Sequence, residues 1–198
     1  MFSGYIFDVE GTLVDSVPCN LRSFQEALGQ AGLSVPFATL QLYSGLDGDQ
    51  TLQIIAPDMS ETQRAQIVVA HAWIYETKYL HSVKAFQGVR QVFEMLTLCG
   101  GRIALSAECK GMKHGQPDPR LIGHALRKLN LTGSDAVMIG DTPYDAEAAT
   151  EAGTTAAGVL SGGFSAESLR GAGCFAIADE VSGLLTAFEN VKPARASA

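Results

Sequence analysis

Short apolar runs of strand length recur along the chain, all but one closed by an acid, a hydroxyl or a glycine. They are Tyr5–Phe7, Arg102–Ser106, Ala136–Gly140, Thr155–Val159 and Phe175–Ala178. Runs of this kind suit buried strands of a parallel sheet. Between them the apolar period changes to that of a helix. Val89, Val92, Phe93 and Leu96 mark one helical face, and Ile122, Ala125, Leu126 and Leu129 another. Small residues (Ala146, Ala148, Ala149, Ala152) fit a helix packed close to a sheet, and Leu184, Leu185 and Phe188 a last one. Strands alternating with helices predict an α/β fold, a doubly wound parallel sheet.

From Val17 to about Lys84 the strand signals vanish. Leu21, Phe24 and Leu28 are spaced i, i+3, i+7, and Ile67, Ala70 and Ile74 repeat the spacing, with Trp73 and Tyr79 adding bulk. The pattern predicts an inserted helical domain over 17–84 and a core domain made of 1–16 and 85–198. Punctuation agrees: Gly32, Gly100-Gly101 and Gly153 end helices, Asp118 and Pro119 start one, and Asp179 is placed to cap the last.

The chain has 198 residues, with 14 Lys+Arg against 21 Asp+Glu and a net charge of −7. That balance argues against sequence-independent nucleic-acid binding, which needs a basic surface. It leaves an anionic substrate open, since the local field matters more than the net charge. Cys19, Cys99, Cys109 and Cys174 form no C-x-x-C pair and read as reduced thiols of a cytoplasmic protein. No apolar run reaches membrane-spanning length, and no basic leader precedes the first strand. The last residues, 192–198, read as a frayed tail. No two of the histidines have metal-ligand spacing.

The candidate chemistry lies at the strand ends. Asp8 and Glu10 follow the first run directly, then Gly11 and Thr12. Carboxyl ends of parallel strands are where open α/β sheets bind ligands. Gly11 permits close approach of backbone to an anion. A carboxylate nucleophile with a second acid nearby suits covalent phosphoryl transfer. The third run ends in Asp141, with Asp145 four residues on, a pair able to converge on one hard cation.

Tyr5–Ser16 resembles the first motif of the haloacid dehalogenase superfamily, Asp-x-Asp-Gly-Thr-Leu-x-Asp-Ser, and within it the phosphoglycolate-phosphatase-like group. Gly140–Asp145 matches its magnesium-binding motif, and Ser106 stands at its second motif. The resemblance implies a Rossmann-like core with a helical cap, and a Mg²⁺-dependent hydrolase of small phosphate monoesters acting through an aspartyl-phosphate. It assigns Asp8 as nucleophile and Glu10 as acid and base. It gives Gly11, Thr12 and Ser106 to the phosphoryl group, and Asp8, Glu10 (through its backbone carbonyl), Asp141 and Asp145 to Mg²⁺. The implied partner is a small phosphorylated metabolite, with no nucleic acid and no membrane, and the chain a monomer or homodimer.

Three departures stand out. Glu10 replaces the family's second Asp. Gln116 stands where a lysine is expected; Lys113 either swings in to replace it or is a surface residue. The link Ala107–Met112 omits a βα step of about 25 residues, by family topology an edge strand with its helix. The loop around Asp47 and Gln50 reads either as a substrate-contacting cap loop or as a plain helix–helix turn. The departures keep open a catalytically degenerate protein that binds Mg²⁺ and phosphate. Hydrolytic dehalogenation by Asp8 is a further alternative.

Overall fold

A computed structural model describes residues 2–106 and 118–190, so Lys113, Gln116 and the link Ala107–Met112 lie outside the described residues, as does the tail from 191. The chain divides into two compact units, 1–15 with 85–198, and 16–84. The sequence pattern placed this boundary one residue later.

The first unit is a parallel sheet of strands β1 (Gly4–Phe7), β2 (Arg102–Leu105), β3 (Ala136–Gly140), β4 (Thr155–Val159) and β5 (Ala176–Ala178), in the order β2-β1-β3-β4-β5. Alternate residues of each strand serve opposite faces. Tyr5, Phe7, Val137, Ile139, Ala157 and Val159 pack with Val92 and Leu96 of α5 (Val89–Leu98) and Leu184 and Phe188 of α9 (Leu184–Asn190). Ile6, Met138 and Ala156 pack on the other side. They meet Ile122 and Leu126 of α6 (Pro119–Leu129), Ala146 and Ala149 of α7 (Pro143–Glu151) and Leu169 of α8 (Ala166–Gly171). Helices therefore cover both faces, as the alternation of elements predicts.

Two expectations fail here. Among the described residues β2 is an edge strand rather than a buried one, and Leu105 at its end is 46% exposed. Asp179 does not cap the last helix. A 3₁₀ turn, Val181–Gly183, precedes α9; Glu180 is its N-cap residue, and no side chain makes the capping bond. Asp118 does cap α6, its carboxylate accepting from the Arg120 amide at 2.9 Å, with Pro119 in the first turn.

The second unit is helical: α1 (Val17–Gln30), α2 (Phe37–Gln41), α3 (Gly48–Ile55) and α4 (Glu61–Ile74), which runs on through a π turn, Tyr75–Tyr79. Leu21, Phe24 and Leu28 of α1 share a core with Leu40, Leu52, Ile67 and Ile74. Glu26 holds α1 to the π turn, accepting from Lys78 Nζ at 2.6 Å and the Tyr79 hydroxyl at 2.5 Å. Trp73 does not join this core: it is 61% exposed. Its neighbours three and four residues away on the outward face of α4 include Val69, also exposed.

Candidate active site

The register of the sheet assembles the site. Phe7 is paired with Leu105 on one side and Ile139 on the other. The next residues out are therefore Asp8, Ser106 and Gly140, side by side at the carboxyl edge. The ladder extends one step further there, since the Ser106 amide donates to Phe7 O and the Asp8 amide to Ile139 O, each at 2.8 Å. Asp8 and Ser106 are both buried.

After Asp8 the chain makes one tight turn. Val9 O accepts from the amides of Leu13 (2.9 Å) and Val14 (3.1 Å), and the Gly11 amide donates to Val14 O at 2.9 Å. Gly11 has φ +75°, a left-handed conformation costly for any residue with a Cβ. Thr12 is carried inward, fully buried, and its hydroxyl donates to Asp141 Oδ1 at 3.0 Å. Glu10 is exposed at the rim, yet its charge acts on Asp141.

Asp141 and Asp145 are both buried. The N-cap of α7 is Thr142, and Asp145 is the third helical residue of a capping box. Its Oδ2 accepts from the Thr142 hydroxyl at 2.7 Å and the Thr142 amide at 3.1 Å. Its Oδ1 is buried without a hydrogen-bond partner. Gly140 is required beside it, since a Cβ there would fall 2.4 Å from the Asp145 carboxyl carbon. Burial holds the Asp141 carboxyl well above the usual carboxylate range, with the charges of Asp145 and Glu10 adding to it and the Thr12 hydroxyl opposing. Burial pushes Asp145 up to about 6 against its bonds to Thr142.

Two buried acids in mutual repulsion, one with an orphaned oxygen, are what a cation site leaves when described by its protein atoms alone. Among the described residues no group of three or more His, Cys, Asp or Glu side chains forms a metal site by itself. The donor set fits Mg²⁺ rather than a closed protein cage, because Mg²⁺ is held by one or two carboxylates with water and substrate phosphate supplying the rest.

Asp47 lies in the helical unit, where it is the N-cap of α3: its carboxylate accepts from the Gln50 amide at 2.7 Å, and Gln50 Oε1 accepts in return from the Asp47 amide. The plain-turn reading thus accounts for both residues structurally. Sequence reasoning missed Ser161, which sits in the 3₁₀ turn Leu160–Gly162 after β4 and donates to Gly11 O at 2.6 Å. No signal in the sequence marks a serine in such a turn.

A doubly wound sheet with acids gathered at the carboxyl edge of its strands places this chain among the α/β proteins that bind ligands at that edge. Residues 2–153 match the model of the haloacid dehalogenase-like hydrolases, and the chain belongs to that family. It is 27% identical to the pyrophosphatase PpaX of Bacillus velezensis over 175 residues, covering 78% of this chain and 81% of that protein. It is 25% identical to the phosphoglycolate phosphatase of Nitrosospira multiformis over 184 residues, covering 75% and 79%. Its fold matches the crystal structure of a hydrolase from Pseudomonas syringae, with a TM-score of 0.88, 23% identity and coverage of 96% and 99%. No helix of the described residues is long and apolar enough to cross a membrane.

Proposed function

We propose that this hydrolase cleaves small phosphate monoesters through a covalent phospho-enzyme on Asp8, with Mg²⁺ as cofactor. The supporting observation is the register that sets Asp8 between Ser106 and Gly140, with Asp141 next in line and tied to the Thr12 hydroxyl. The Asp8 carboxylate attacks phosphorus in line with the leaving alkoxide. The Ser106 hydroxyl and the Thr12 amide bind the equatorial oxygens, where charge is spread in the transition state. Glu10, at the rim, protonates the departing alcohol and then takes a proton from the water that hydrolyses the acyl phosphate. Asp141 and Asp145, with Asp8 and the Glu10 carbonyl, would hold Mg²⁺, which supplies positive charge against the phosphoryl oxygens. The names of the pyrophosphatase and phosphoglycolate phosphatase relatives support a phosphate ester or anhydride as the substrate class. Phosphate release from a panel of monoesters, with Mg²⁺ and with EDTA, tests the reading. Expected is release that EDTA abolishes; no release from any ester with Mg²⁺ overturns it.

A second reading is a protein that binds Mg²⁺ and phosphate with little turnover. It is favoured by the exposed Glu10, one methylene longer than the family's Asp and so harder to hold at the leaving oxygen. Orthophosphate binding in the absence of turnover would select it.

A further inference from the structure

We infer that Ser161 is a positioning residue of this site, fixing the direction of the Thr12 amide from the far end of β4. The inference rests on the proposed phosphoryl chemistry for its purpose, but its geometry stands independently. The Ser161 hydroxyl donates to Gly11 O at 2.6 Å across 150 residues of chain. Gly11 C=O and Thr12 N–H belong to one planar trans peptide and point in opposite directions. Anchoring the carbonyl therefore aims the N–H the other way. The Thr12 amide has no acceptor among the described residues, although Thr12 is fully buried. A buried N–H without a partner is rare, and a ligand oxygen is one way of satisfying it.

Gly11 makes such an anchor necessary. At φ +75° the residue has no Cβ to restrict it, and the peptide that follows can rotate at little cost. The side chain of Thr12 is held by Asp141, but this leaves the plane of the preceding peptide undetermined. Ser161 supplies the missing constraint. The residue after it has a matching role: a Cβ on Gly162 would fall 1.6 Å from Asp141 Oδ2. The turn Leu160–Gly162 thus closes on both the phosphoryl-binding peptide and the acid of β3. A preorganised donor costs no reorganisation when charge develops, so a loosened one loses rate more than ground-state affinity.

The test compares Ser161→Ala and Ser161→Thr with the parent chain, by p-nitrophenyl phosphate turnover with Mg²⁺ and by hydrogen exchange of the Thr12 amide in NMR. In Ser161→Ala, Thr12 exchange should rise about tenfold or more while Ile6 and Met138 in the sheet stay unchanged. The kcat should fall about tenfold with KM within about twofold, as expected for a lost donor-orienting bond. Ser161→Thr, which keeps the hydroxyl, should restore both. Thr12 exchange and kcat both within twofold of the parent in Ser161→Ala would overturn the inference. If the parent hydrolyses no phosphate ester, the proposed function fails, and the Thr12 exchange by itself still decides the clamp.

Discussion

Thr12 and Asp141 are 129 residues apart in sequence, and the hydroxyl of one donates to the carboxylate of the other at 3.0 Å in a fully buried setting. This bond fastens the turn after β1 to the end of β3. Thr12→Val keeps the shape and removes the donor, leaving a buried carboxylate oxygen unsatisfied. Stability in urea should fall by about 1–3 kcal/mol. A loss well below that range would mean that Asp141 finds another donor.

Asp8→Asn keeps the volume of the nucleophile and removes its charge. Phosphatase turnover should drop by roughly 10³ or more, as for other covalent nucleophiles. Residual activity within tenfold of the parent would refute attack by Asp8.

Asp141→Ala should abolish stabilisation by Mg²⁺. A ligand at 100 times its Kd raises native-state stability by about 2.7 kcal/mol, and melting curves with Mg²⁺ and with EDTA read that difference. An unchanged Mg²⁺ response in the variant would move the cation elsewhere.

The helical unit gives a contrast between two large apolar side chains. Leu28 is fully buried in its core, and Trp73 is 61% exposed. Leu28→Ala should cost about 2–5 kcal/mol. Trp73→Ala, a surface change, should stay within about 0.5 kcal/mol. Equal losses for the two would show that Trp73 is covered in solution.

His71 carries a pH signature. Its ring lies 5.0 Å from that of Phe24, and Nε2 is buried without a partner. Burial holds its pKa below 6.5, while its bond to the Asn20 carbonyl opposes the shift. The unfolded chain therefore takes up the proton first as pH falls. The contribution of neutral His71 is complete above about pH 6.5 and is lost as pH drops through the folded value. His71→Phe removes this dependence, so parent stability should fall relative to the variant between pH 7.5 and 5. A constant difference across that range would show that His71 does not titrate on unfolding.

The parts of the fold that local order dictates were legible in the sequence. β1, β3 and β4, the capped start of α6 and the helical stretch 17–84 each follow from contiguous residues with a clear period. So does the clustering of Asp8, Ser106 and Asp141, because strand ends of a parallel sheet share one edge. Trp73 was misplaced because α4 is apolar on two sides: Ile67 and Ile74 face the core while Val69 and Trp73 face out. β2 was taken for a buried strand because an apolar run does not reveal how many neighbours it has. That Thr142 caps α7 while Asp145 closes the capping box as its third helical residue depends on two candidate caps three positions apart, which local sequence does not rank. Ser161 was invisible because its partner is 150 residues away.

The strand order has a consequence for biosynthesis. β1 is flanked on both sides, yet it emerges first of the described strands, and its partners are Arg102–Leu105 and Ala136–Ile139. At about 5–20 residues per second, Tyr5, Ile6 and Phe7 wait roughly 5–20 s for β2 and roughly 7–26 s for β3. The helical stretch 17–84 is complete well before then, and the residues of its core cluster all lie within it. The nascent protein therefore folds its insertion first, while the strand that will carry the nucleophile waits as an adhesive apolar segment that chaperones can bind.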